Sequence, residues 1–71
     1  MNTATGSQLT EGQTVRHNRL GIPVEIIGEV EWDSTSTRYT DRGRRMFAVL
    51  GPRGGVHALC VEMEEAVEVA A

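Results

Sequence analysis

The sequence predicts an all-β fold, a small antiparallel barrel or curled sheet of four to five strands, and three observations carry that expectation. Residues 24–33 alternate two sets of positions with a period of two over ten residues. Two further apolar runs, 44–50 and 56–63, flank a glycine-rich connection of five residues. Helix signals are few, and a chain of 71 residues with 39% hydrophobic residues has material for only one small core.

Taken in order, residues 1–10 (MNTATGSQLT) are small and polar without periodicity, which predicts a flexible tail ahead of a single β domain over 11–71. Glu11-Gly12-Gln13 is a turn feeding a short strand around 14–18, and Gly21 with Pro23 reverses the chain. In the strongest strand, 24–33, Val24, Ile26, Gly28, Val30 and Trp32 form the expected inward set. Glu25, Ile27, Glu29, Glu31 and Asp33 form the outward set. Gly28, in the middle of the inward set, marks a bend or bulge. Residues 34–43 (STSTRYTDRG) are hydrophilic apart from Tyr39 and predict a long exposed loop. The strand over 44–50 then closes at Gly51-Pro52-Arg53-Gly54-Gly55, and a third strong strand follows over 56–63. A last strand over 66–69 is preferred to a helical turn because valine favours strand. The expected core is Val24, Ile26, Val30, Phe47 and Val49, with Trp32 most simply read as core as well and Cys60 as a small buried hydrophobe.

The opening Gly12-Gln13-Thr14-Val15-Arg16 followed by Gly21, the long apolar strand, the strand pair joined at Gly-Pro-Arg-Gly-Gly and the short closing strand resemble the SH3-like barrels of small ribosomal and transcription-associated modules. The resemblance spans about residues 11–69 and implies an SH3-like fold more than a function. Those modules carry a basic, lysine-containing turn after the first strand, where this chain offers only Arg16 and Arg19.

Charge divides the chain. The net charge is -3, yet all seven Lys and Arg residues are arginines within 16–53, and residues 54–71 carry four glutamates and no arginine or lysine. Arg38, Arg42, Arg44, Arg45 and Arg53 are offset only by Asp41. Guanidinium groups suit bidentate contact with phosphate or carboxylate, although a GC-rich coding sequence produces the same arginine bias without any site.

Catalysis finds no constellation, so no catalytic residue is expected and the chain reads as a non-enzyme. His57 and Cys60 lie three apart in a strand, where alternation sends them to opposite faces. The pairs Glu29/Glu31 and Glu64/Glu65 fall on expected solvent faces. No metal and no cofactor is expected, because His17, His57 and Cys60 lack ligand spacing. Gly-Pro-Arg-Gly-Gly lacks the spacing and the lysine of a phosphate loop.

Two readings of function remain. The first is an accessory protein-binding or assembly module, or a homo-oligomer. It rests on the acidic C-terminal segment, the exposed edge strands of any small sheet and Ile27, the apolar residue on the charged parity. The alternative is RNA or single-stranded nucleic acid held by Arg38, Arg42, Arg44, Arg45 and Arg53 with Tyr39 as a stacking base partner. On the alternative, substituting Arg42, Arg44 and Arg45 together is expected to remove binding and leave the fold intact. The N-terminus shows no targeting signal and the chain no apolar run of membrane length, so a cytoplasmic protein without membrane contact is expected.

Overall fold

A computed structural model describes residues 2–70 as one antiparallel sheet. Its strands are β1 (Asn2–Thr5), β2 (Thr14–Arg16), β3 (Pro23–Val30), β4 (Arg44–Leu50), β5 (Val56–Glu62) and β6 (Ala66–Val69). Among the described residues the helical elements are two short 3-10 turns, Gly6–Gln8 and Tyr39–Arg42. The all-β expectation holds, with six strands in place of four or five.

The spatial order is β1-β6-β2-β3-β4-β5. Strands β2 to β5 therefore form a meander, and β6 returns to pair with β2 at Val15–Val69 and Arg16–Glu68. The sheet curls without closing into a barrel. The 3-10 turn lies between the outermost strands, its Gly6 amide donating to the Glu65 carbonyl at 3.0 Å and its Ser7 amide to the Met63 carbonyl at 2.9 Å. Gly6 is buried with its Cα against the Glu62 carbonyl, where a Cβ has no room.

The concave side holds Leu9, Val15, Val24, Ile26, Phe47, Val49, Leu59, Val61 and Val67, all buried. Four of the five expected core residues are among them. Val30 is not. The register between β3 and β4 runs Ile26–Val49 and then Gly28–Ala48, so Ile27 is the extra residue of a bulge. One extra residue inverts the alternation, and beyond it Glu29 stands opposite buried Phe47 while Val30 faces Met46 on the convex side. Val30 is accordingly 43% exposed and Trp32 52%. The sequence's bend at Gly28 is present; its consequence for parity is what reverses Val30, Trp32 and Glu29. Cys60, expected as a small buried hydrophobe, is half-buried opposite Met46 on the same convex face.

Residues expected to form a flexible tail are part of the sheet. β1 pairs with β6 from Asn2–Val69 to Thr5–Ala66, and Leu9 enters the core. Periodicity cannot reveal a four-residue polar strand held by backbone hydrogen bonds; the anchoring apolar residues, Ala4 and Leu9, are the only sequence trace it leaves. The β2–β3 turn is fixed by His17, which is buried. The Arg19 amide donates to its Nδ1 at 3.1 Å, so Nε2 carries the proton and meets the Glu65 carboxylate at 2.5 Å. That contact ties the β2–β3 turn to the β5–β6 turn.

Candidate binding surface

The Arg38–Arg53 segment does not make one basic surface. Arg45 lies on the inward parity of β4, with Phe47 and Val49. It donates to both Glu29 carboxylate oxygens at 2.8 and 3.0 Å, and through Nη1 to the Gly6 and Leu9 carbonyls at 2.9 Å each. Its guanidinium sits over the Phe47 ring, 4.7 Å from the centroid. Arg45 is therefore a clamp between the sheet and the N-terminal segment, with no donor pair left for a ligand. The exposed strand-end position expected for Arg45 is corrected: its side chain is 15% exposed.

Arg42 is also engaged, with Asp33 at 3.1 Å. The Asp33 Oδ1 accepts from the Thr35 amide at 2.8 Å, the Thr35 hydroxyl at 2.6 Å and the Thr37 amide at 3.1 Å. This organises residues 33–37 as a side-chain-nucleated turn, the function for which a short carboxylate is suited. Trp32 and Arg38 bridge across its base, and the Arg38 guanidinium stacks on the Trp32 ring at 5.3 Å. Tyr39 is half-buried at the start of the second 3-10 turn.

Arg44 is exposed at the first residue of β4, opposite Glu62. Arg53 is exposed in the β4–β5 connection, at the other end of that hairpin and so on the order of 20 Å away. In the connection itself the Gly51 amide donates to the Gly55 carbonyl at 2.7 Å and the Gly54 amide to the Gly51 carbonyl at 3.0 Å. Those amides are spent within the turn. Beside it lies an open depression of about 320 Å³ lined by Ile22, Gly51, Pro52, Arg53, Gly55 and His57.

On the convex face, the bulge brings apolar side chains together. Ile27, 40% exposed at the bulge, adjoins a face on which Val30, Met46 and Cys60 lie in register across β3, β4 and β5. Ala48 and Ala58 form the next row and Leu50 and Val56 the last, with Val56 65% exposed. Of this group the sequence reading singles out only Ile27. The Ile27-Gly28 pair within an alternating strand is the signal from which the rest follows once the parity is inverted after it.

His17, His57 and Cys60 do not converge. His17 is tied to Glu65, His57 packs near Gly51 and Gly55, and Cys60 faces outward on β5. Among the described residues no group of three or more His, Cys, Asp or Glu side chains is placed to hold a metal ion. Among the same residues no helix is long and apolar enough to cross a membrane.

Three carboxyls are held below their ordinary values. The Arg45 hydrogen bonds lower Glu29 against the opposing effect of burial. The Thr35 hydroxyl and the Thr37 amide lower Asp33. Burial pushes Glu65 up, but the Glu62 amide, His17 and the Arg19 charge together outweigh it and leave Glu65 lowered. A carboxyl lowered on folding contributes stability in full above its unfolded value, which for Glu29 and Glu65 is near 4.5, and loses it as pH falls through the folded value. The thermal midpoint is therefore expected to be level near neutrality and to fall steadily below about pH 4.5. The Glu29→Gln variant should fall less steeply. A midpoint unchanged down to pH 3 would contradict these assignments.

Comparisons with protein-family models, with curated proteins and with solved structures give no match to this chain.

Proposed function

We propose that the chain is a non-enzymatic accessory binding module of the cytoplasm, a protein–protein interaction or assembly domain of SH3-like plan. The order of strands, a four-strand meander with β6 returning to β2, supports the SH3-like part of this reading. One observation carries the function. The bulge leaves Ile27 outward and turns Val30 outward beyond it, so that Ile27 and Val30 adjoin Met46 and Cys60 on a face that no element of the chain covers among the described residues. The exposed Trp32 lies two residues beyond Val30, with Arg38 stacked upon it. An aromatic and an arginine at the margin of an apolar patch are the residue types that dominate protein interfaces.

The stacked Arg38–Trp32 pair also suits a nucleic-acid base, and the experiment separates the two ligands. Capture from native lysate is compared for wild type and an Ile27→Glu, Val30→Glu double variant, with and without nuclease. A protein partner is retained through nuclease treatment and lost on the double variant. Titration with short oligonucleotides then covers the alternative: if Arg38, Arg44 and Arg53 neutralise phosphates, each one removed lowers the slope of log affinity against log salt by about 0.7. Oligonucleotide binding at low salt that survives the double variant, together with loss of all captured protein on nuclease treatment, would overturn the protein-binding reading.

A further inference from the structure

We infer that β5 is a self-pairing edge, and that two copies of this chain associate through it as antiparallel strands about a two-fold axis at Ala58. The proposal concerns the rim of the sheet rather than its convex face, and stands or falls independently of what that face binds.

The backbone directions on β5 follow from hydrogen bonds at its end. The Glu62 amide donates to its neighbour Glu65 Oε1 at 3.2 Å, and the Glu62 carbonyl accepts from the Glu65 amide at 3.1 Å, so this residue's backbone groups point away from β4. The next residue points the other way, its Met63 amide donating to the Gly43 carbonyl at 3.0 Å. In an antiparallel ladder these directions alternate. The amides and carbonyls of Cys60, Ala58 and Val56 therefore face outward from the sheet, and among the described residues no strand lies beyond them. The 3-10 turn at Gly6 covers only the Glu62 end.

Exposed edges of natural sheets are usually blocked by lysine, proline, a bulge or a very short strand. β5 has none of these: it runs seven residues in unbroken register with β4, and between His57 and Glu62 it carries no charge. The opposite edge, β1, has four residues and is polar.

The charges select a second copy as the partner and set its direction. Arg53 precedes β5, and Glu62 and Glu64 end it. Antiparallel self-pairing brings the basic start of each strand to the acidic end of the other, so that both copies gain the same contact. Among such registers, the one centred on Ala58 sets Val56 opposite the second copy's Cys60 and Ala58 opposite the second copy's Ala58, which satisfies all three outward residues at once. The opposing side chains are then Val, Ala and Cys, small enough to meet across a strand pair. In the same register Gly54 and Gly55, which lack side chains, fall beside the second copy's Glu62 end, where its Gly6 turn already lies. Pairing over five residues is small beside the roughly 1,200–2,000 Å² of stable interfaces, so the dimer is reversible and depends on concentration.

Sedimentation of the full chain from about 10 µM to about 1 mM is expected to show a monomer–dimer equilibrium. Ala58→Pro removes an outward amide that the β4 ladder does not use, and should give a monomer with an unchanged β spectrum. Arg53→Glu should weaken association about ten-fold, and adding Glu64→Arg should restore it. The register is read by oxidation. Ala58→Cys in a Cys60→Ala background should form a disulfide-linked dimer, whereas wild-type Cys60, displaced about 13 Å from its copy along the strand, should not. A monomer at every concentration would overturn the proposal, as would a dimer indifferent to Ala58→Pro or to the charge exchange. If Ala58→Pro fails to fold, the charge exchange and the oxidation test decide.

Discussion

Replacing Ile26 by alanine is expected to lower stability by about 2–5 kcal/mol, the range for truncating a fully buried isoleucine. A core of this size gives a net stability of roughly 3–5 kcal/mol, so the variant should populate the unfolded state in the absence of denaturant. Ile26 is 0% exposed and lies at the middle of the sheet. Its backbone is fixed on the β2 side, the Gly12 amide donating to its carbonyl at 2.8 Å and its own amide donating to the Gln13 carbonyl at 2.9 Å. Alanine retains both bonds, so the loss isolates the side chain and the cavity it leaves. Val30→Ala is the control. It truncates another branched residue on the same strand, but on the far side of the bulge, and surface truncations of this kind stay within about 0.5 kcal/mol. Urea unfolding of both variants measures the contrast, and equal losses at the two positions would refute the inversion of parity at Ile27.

That contrast also marks where the sequence stops being legible. Alternation over 24–33 is a reliable sign of a strand, and Val24 and Ile26 face inward as it predicts. Hydrophobicity alone cannot say whether Gly28 bends the strand or adds a residue to it, because Ile27 is as apolar as its neighbours and either choice leaves an apolar set on one side. Only the pairing with β4 decides, through Ile26–Val49 and Gly28–Ala48. The Gly51–Gly55 connection, by contrast, was legible: the turn uses Gly54 at a φ of 85°, which side-chain-bearing residues seldom adopt, and its composition announces that need. The first ten residues were opaque for a different reason. β1 contributes mostly backbone hydrogen bonds, which every sequence can make, and the segment that follows it is held by Arg45, thirty-six residues beyond Leu9.

Arg45 also shows why a basic cluster in a sequence is a poor guide to a basic surface. Two adjacent arginines open β4, and nothing local distinguishes them, but adjacent strand residues must face opposite sides. Arg44 takes the exposed side and Arg45 the side of Phe47 and Val49. A guanidinium there is tolerated because each of its directions is met, by the Glu29 carboxylate and by the carbonyls of Gly6 and Leu9. Arg45→Met keeps much of the aliphatic stem and deletes these bonds, leaving a partly buried carboxylate and the Leu9 carbonyl unpaired and the Gly6 carbonyl with only the long bond from the Leu9 amide at 3.4 Å. With solvent reaching Glu29, the expected loss is about 2–4 kcal/mol. Arg44→Met, one residue away, should change stability by less than about 0.5 kcal/mol. Amide exchange should locate the damage, with protection falling first over residues 6–9, because Gly6 and Leu9 are what Arg45 holds down. Adding Glu29→Leu to Arg45→Met should recover part of the loss by removing the orphaned carboxylate, and no more than part, since the Leu9 carbonyl remains without a donor and the Gly6 carbonyl keeps only the Leu9 amide. An Arg45→Met protein that unfolds at the wild-type midpoint would show that Arg45 is the solvated strand-end charge its sequence context suggests. Its guanidinium would then be free for a ligand, and the basic surface would regain the member that the structure places inside.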